Sequence, residues 1–228
     1  MKLQLRMGAI TLGTCVAVLL LVSGAMATPS FTNGGFEAGY SVGGWDVMTA
    51  TNTPGWTILY GSNGAFPRLN RNQANGGPYG NNNELTQFAT IGGVEDGETS
   101  ALEQTVSGFN IGQTYTLSWL QSSEFTSSDQ LQVSFVAGSS TASAIFSSNP
   151  YPGGSLFWYG WQTFTMNFVP SASSVTFHFQ GVPNSGSYEV GVDNFQIAGT
   201  SVPEPGTLVM LGSGVIGLAG MLRRKINR

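Results

Sequence analysis

Tyr115-Thr116-Leu117-Ser118-Trp119 places a large apolar side chain at every second position and a small hydroxyl residue between each pair. Successive side chains of an extended chain leave opposite sides of the backbone, so a period of two marks a strand with one buried face. The same rhythm recurs downstream. Leu131, Val133 and Phe135 alternate with Gln132 and Ser134; Phe164, Met166 and Phe168 alternate with Thr163, Thr165 and Asn167. Val175, Phe177 and Phe179 alternate with Thr176, His178 and Gln180. Shorter runs of strand character cover 31–37, 56–60, 85–91, 101–106 and 142–146. Strands of this kind, about nine or ten in all, separated by Gly, Pro and Asn turns and without an amphipathic helix, predict an all-β sandwich of two antiparallel sheets. Near the end of the series Val190 and Val192 share one parity while Phe195 and Ile197 share the other. Such a phase change predicts a β-bulge at Asp193–Asn194, and bulges re-aim side chains.

Both ends of the chain differ from this pattern. Lys2 and Arg6 precede the apolar run Met7 to Val22, and Ala25-Met26-Ala27 supplies an A-x-A cleavage site, so residues 1–27 read as a signal peptide for the Sec pathway. The one cysteine, Cys15, lies in that apolar core, which leaves the mature chain without a disulfide, a thiol nucleophile or a thiolate ligand. At the other end, 207–222 carries no charge and as a helix spans about 24 Å, at the short end of what crosses a bilayer. Arg223, Arg224 and Lys225 follow at once as a basic stop, with Arg228 behind them. Basic residues stay cytoplasmic, so the segment reads as an inner-membrane transmembrane helix with the preceding chain held outside. The layout is a signal peptide (1–27), an ectodomain (28–201) and a C-terminal segment (202–228). Gly212 to Gly217 fits G-x-G-x-x-G, but no βαβ unit surrounds it and it sits in the apolar run, so it is no nucleotide site.

The C-terminal segment has three parts in order: Val202-Pro203-Glu204-Pro205 within 202–206, the apolar run, and the basic tail 223–228. It resembles the PEP-CTERM sorting signal of exopolysaccharide-producing bacteria. The resemblance implies that an integral-membrane exosortase cuts near the motif and that the ectodomain is released to the outer surface or the extracellular matrix. A second resemblance spans the ectodomain. Asn33-Gly34-Gly35-Phe36-Glu37 opens it, followed by Gly44-Trp45, Leu102 to Val106, Gly112 to Ser118, Trp161 to Phe164 and Gly191-Val192-Asp193-Asn194-Phe195. In that order these elements resemble the galactose-binding-like jelly roll of many carbohydrate-binding modules. The resemblance implies a structural calcium tying the first strand to the last, with Glu37 and Asp193 as the matching carboxylates. Calcium takes about 6–8 oxygen ligands, so backbone carbonyls near Asn33 to Gly35 would complete the shell. A turn carboxylate accepting backbone N–H bonds is the alternative reading of Asp193.

Charge and residue inventory narrow the function. With the ends set aside, Arg68 and Arg71 are the only basic residues against eleven acids, a formal charge of −9. Such a surface repels nucleic-acid phosphates and suits neutral partners or divalent cations. Sugar binding needs flat aromatics for the C–H faces of rings and amides or carboxylates for hydroxyls. The richest aromatic stretch is 151–161, from which Tyr151, Trp158 and Tyr159 are glycan-binding candidates, with Trp56 beside them and Trp161 expected to fill the core. The polar stretch 68–83 reads as a long loop and a second candidate. The acidic run 94–98 lacks EF-hand spacing and reads as a solvated loop. Catalysis has little support. His178 is the single histidine, the ectodomain holds no G-x-S-x-G elbow, and a zinc site is not available from these residues. A glycosidase would need a carboxylate pair such as Glu103 with Glu124 or Glu189. Three readings follow: an exported, non-catalytic binding module associated with exopolysaccharide, a glycan-active hydrolase or lyase, or a structural surface protein without a ligand.

Overall fold

The computed structural model describes residues 28–38, 45–61, 66–71, 87–92, 99–124, 129–149, 161–182 and 189–199, together with the helical pair 214–215. These contain eleven strands: β1 (Trp45–Val47), β2 (Thr57–Leu59), β3 (Arg68–Arg71), β4 (Gln87–Gly92), β5 (Ala101–Ser107), β6 (Tyr115–Ser123), β7 (Gln130–Ala137), β8 (Ser140–Ser147), β9 (Gln162–Phe168), β10 (Ser174–Val182) and β11 (Glu189–Gly199). One sheet runs β1-β3-β4-β11-β6-β9 and the other β2-β5-β10-β7-β8, with every pairing antiparallel. The fold is a β-sandwich of two antiparallel sheets, as the alternation predicts, and a jelly roll, as the family resemblance implies.

The predicted inward parity is the observed one. Leu117 and Trp119 on β6 and Val190 and Val192 on β11 face Val133 on β7 and Phe177 on β10, and all are buried. Each such side chain contributes roughly 1.5–3 kcal/mol on leaving water. Aromatic rings fill most of the gap between the sheets. Phe179 lies 4.3 Å from Phe195, and Phe168 meets Phe177 edge-on at 5.3 Å. Gln104 accepts the Thr32 N–H at 2.7 Å and donates to the Thr32 carbonyl at 3.0 Å, which fastens the start of the domain to β5. At one end of the sandwich the sheets meet backbone to backbone. Ser100 donates to the Gly92 carbonyl and Gly181 to the Ser100 carbonyl, and a Cβ on Gly181 would lie 2.9 Å from that Gly92 oxygen.

Two expectations are corrected here. Residues 31–37 form turns, not a strand. Asn33 and Phe36 have φ values of 54° and 58°, and the Phe36 N–H closes onto the Asn33 carbonyl, a geometry that cannot continue a ladder. The start of the 68–83 stretch is not loop: its first four residues are β3, paired with β1 and β4, and 72–83 lies outside the described residues. The bulge appears where the phase change put it, between Asp193 and Gln196, with Asn194 at φ 53°. The acidic run 94–98, the signal segment and, apart from 214–215, the apolar C-terminal run also lie outside the described residues. Among the described residues no helix is long and apolar enough to cross a membrane.

Candidate functional site

The loop at 33–37 and the bulge of β11 come together. Gly34 accepts the Phe195 N–H at 3.0 Å, and a Cβ at position 34 would press on the Phe195 carbonyl oxygen, so only glycine allows this approach. The contact sets Glu37 beside Asp193. Glu37 Oε1 accepts the Gln87 N–H at 3.0 Å, and Gln87 Nε2 donates to the Phe36 carbonyl at 3.1 Å. Asp193 is fully buried. Its Oδ1 accepts the Asn194 N–H at 2.6 Å, while its Oδ2 has no hydrogen-bond partner. Burial pushes the Asp193 carboxyl well above its ordinary value, the Asn194 hydrogen bond opposes that, and the Glu37 charge raises it further. A carboxylate buried beside a second negative charge is stabilised by a proton or a cation.

These donors suit a hard cation. Both are carboxylates, and one Asp193 oxygen is without a hydrogen-bond partner. The Asn33 carbonyl is already filled by the Phe36 N–H and by Trp56 Nε1 at 2.9 Å, so it is a poor candidate for the shell. The Gly34 and Phe36 carbonyls each accept one bond and keep a second lone pair. Among the described residues no group of three or more His, Cys, Asp or Glu is placed to hold a metal ion.

The second feature is the face of the six-stranded sheet that points away from the core. Strand parity puts Trp45 on β1, Arg68 and Asn70 on β3, Phe88 and Thr90 on β4, Glu189 and Gly191 on β11, and Ser122 on β6 there. Trp45 is 56% exposed, and the Arg68 guanidinium sits 4.9 Å from the centre of its ring and 5.1 Å from that of Phe66. Arg68 also pairs with Glu189 at 2.9 Å. Thr90 donates to Glu189 Oε2 at 2.6 Å and accepts from Asn70 Nδ2 at 3.1 Å. Trp161 belongs to this face, not the core. It follows the parity of Thr163 and packs edge-on against Phe88 at 5.2 Å, partly buried, with only Gly191 and Ser122 on the strands between.

The sequence-derived site residues divide accordingly. Trp56 is corrected: it is 4% exposed, stacked on Phe31 at 5.6 Å and on Phe36 at 5.3 Å, with its ring N–H bound to Asn33, and so offers no surface to a sugar. Tyr151, Trp158 and Tyr159, the motif Val202 to Pro205 and the basic residues Arg223, Arg224 and Lys225 lie outside the described residues. Glu103 is separated from Glu124 and Glu189. It lies on the outer face of the other sheet, 3.5 Å from His178, whereas Glu124 Oε2 accepts the Glu189 N–H at 3.2 Å. Arg68 opens the polar stretch that the sequence offered as a second candidate, whereas Trp45 and the Glu124–Glu189 contact were not legible as a site from the sequence.

The fold and the tail can be set beside known proteins. The sandwich is similar to that of a cyclase from Fischerella sp. TAU, solved with 4-(1H-indol-3-yl)butan-2-one, at a TM-score of 0.54 and 16% identity over 76% of this chain and 98% of that one. It is also similar to TmCBM61, solved with β-1,4-galactotriose (TM-score 0.49, 12% identity, 76% and 100% covered), and to a family 16 carbohydrate-binding module (TM-score 0.41, 17% identity, 69% and 97% covered). The similar structures include both carbohydrate-binding modules and enzymes. No curated protein matches the sequence. The class these comparisons and the topology define is an antiparallel β-sandwich, at the level of fold. The tail is more specific: residues 201–225 are a PEP-CTERM protein-sorting motif, the mark of an exported, surface-sorted protein processed by an exosortase.

Proposed function

We propose that this chain is a cell-envelope or extracellular-matrix protein whose sandwich is a non-catalytic module for exopolysaccharide. It is exported through a Sec signal peptide, parked in the inner membrane by 207–222 and released by exosortase near Pro203-Glu204-Pro205. The observation that carries the reading is the outer face of the six-stranded sheet. Trp45 offers an exposed ring held in place by Arg68, and hydroxyl, amide and carboxylate groups lie along the strands beside it. That is the mixture a sugar needs: an aromatic plane for C–H faces and polar groups for hydroxyls. Tyr151, Trp158 and Tyr159 are expected to extend the aromatic surface, and calcium between Glu37 and Asp193 to stiffen the start and end of the domain.

The test is affinity electrophoresis of the full-length chain in mild detergent against a panel of polysaccharides, with calcium and with chelator. Saturable binding to at least one neutral polysaccharide is expected, weakened at least about tenfold by Trp45→Ala, a loss of roughly 1.4 kcal/mol. No saturable binding to any of them would leave a structural surface protein.

One observation favours a second reading, a glycan-active hydrolase or lyase. The Glu124 carboxyl, pushed up to about 7, lies beside Glu189, and a carboxylic acid kept protonated next to a second carboxylate is what glycoside cleavage employs. On that reading reducing ends accumulate in a polysaccharide digest and Glu189→Gln abolishes them. Their absence with the wild-type chain removes the enzyme.

A further inference from the structure

The strands that end the two sheets are not alike. β1 and β2 have three residues each, and β1 carries Asp46. Shortness and charge are how sheets discourage pairing with another chain. β8 and β9, at the opposite ends of the same sheets, have eight and seven residues without a charge, a proline or a glycine. They lie side by side: Phe146 on β8 meets Phe164 on β9 at 5.8 Å, and Trp119 reaches Phe146 at 4.8 Å. The core opens between them. Phe146, Phe164 and Met166 are only partly buried, and Ala142, which faces inward beside Phe135, is exposed.

Charge follows the same division. From 130 to 188, the stretch that supplies β7, β8, β9 and β10, the sequence holds no Asp, Glu, Lys or Arg. The eleven acids of the ectodomain all lie in 37–129 and 189–193. Two copies of a domain with a formal charge of −9 repel each other in most orientations. Through β8 they meet without setting acid against acid.

The strand is also complementary to itself. Gly138 and Ser139 form a two-residue turn that closes on the Ala137–Ser140 pair, with Gly138 at φ 64°. Counted from that pair, Thr141, Ser143, Ile145 and Ser147 point their N–H and C=O groups away from β7. Among the described residues no strand takes them up. Opposite residues of an antiparallel pair share a face, so a two-fold axis must pair residues of like parity. An axis at Ala144 sets Ser143 against Ile145 and Thr141 against Ser147 of the other copy, which engages all four free residues of each strand. It also lays Phe146 over the exposed Ala142 of the other copy, a large side chain on a small one where the core is open. Ile145, 54% exposed, gains cover on the outer face.

We propose that this protein pairs with a second copy of itself through β8, antiparallel and centred on Ala144, joining the two five-stranded sheets into one. The contact is isologous, so it closes at the dimer. Trp45 stands on β1, at the far end of the other sheet from β9, so the pairing leaves it uncovered and does not depend on any glycan.

The test is sedimentation velocity of the full-length chain in mild detergent over a concentration series, joined to oxidative cross-linking in a Cys15→Ser background. The wild type is expected to pass from monomer to dimer. Ala142→Lys, which sets a charge against Phe146 of the other copy, is expected to weaken that dimer at least about tenfold. Position 142 is exposed, so in the monomer the lysine reaches water. Ala144→Cys is expected to give a covalent dimer, because residue 144 faces itself at a non-hydrogen-bonded site, where side chains come closest. Thr57→Cys, on the edge strand β2, is expected to stay monomeric under the same oxidation. A wild type that remains monomeric throughout would overturn the pairing. A dimer that Ala142→Lys leaves intact, or cross-linking no faster at 144 than at 57, would put the contact elsewhere and overturn it too. The cross-linking comparison decides alone if the lysine variant does not fold.

Discussion

Calcium is expected to raise the melting temperature of this protein, and Asp193→Asn to abolish the rise. The wild-type fold confines Asp193 beside Glu37 with one oxygen unpartnered, and a divalent cation bound there removes both the desolvation cost and the repulsion. Ligand at about a hundred times its dissociation constant adds about 2.7 kcal/mol, which for a domain of this size is a shift of roughly 5–10 °C. In chelator the sign reverses with pH. Asp193 titrates well above its unfolded value of 3.8, so the metal-free fold is helped by a proton there, and that help is lost as pH rises. Asparagine keeps an acceptor for the Asn194 N–H and carries no charge. The variant in chelator is therefore expected to be at least as stable as the wild type at pH 8 and to show a flatter pH profile. Differential scanning calorimetry with calcium and with chelator checks all of this. A wild-type midpoint that calcium leaves unchanged would return Asp193 to the role of a turn carboxylate.

Trp56→Ala is expected to be among the most destabilising single changes in the domain, at about 3–5 kcal/mol. Its ring bridges the N-terminal loop and the sheets: Phe31 and Phe36 stack on it, Phe179 and Phe195 meet it at 5.9 and 5.4 Å, and its N–H holds the Asn33 carbonyl. Removal leaves a cavity among aromatic rings and frees the loop that carries Glu37. The calcium-dependent rise is therefore expected to shrink together with the stability. Urea unfolding measures the loss. A midpoint within error of the wild type would mean that the loop packs independently of Trp56.

What the sequence made legible was whatever repeats. Three alternating large side chains on β6 or on β10 outweigh any accident of composition, and even the bulge was visible, because Val190, Val192, Phe195 and Ile197 change phase across it. β1 and β3 were not visible. Each has three or four residues, with Leu69 as the one large apolar side chain facing inward on β3, and a period of two cannot be read from a single tooth. Trp56 was misplaced for a related reason. Its burial comes from Phe31 and Phe36, which reach it through left-handed turns that alternation does not describe. Glu124 and Glu189 lie 65 residues apart and meet only because β6 pairs with β11. The carboxylates Glu37 and Asp193 were legible through family resemblance, and the approach of Gly34 to Phe195 supplies the physical reason they are neighbours.

The last strand of the sandwich is also a central one. β11 lies between β4 and β6, with pairing partners some 70 to 100 residues earlier in the chain. A polypeptide threaded outward from its N-terminus therefore presents a split sheet with two unsatisfied inner edges until 189–199 has emerged. Such edges are templates for wrong pairing, and long-range closure of this kind is slow. Gly199 ends β11 two residues before the sorting motif begins at 201. The sandwich is thus completed only as its sorting signal arrives, so that a chain presented for processing is one whose folding has just become possible.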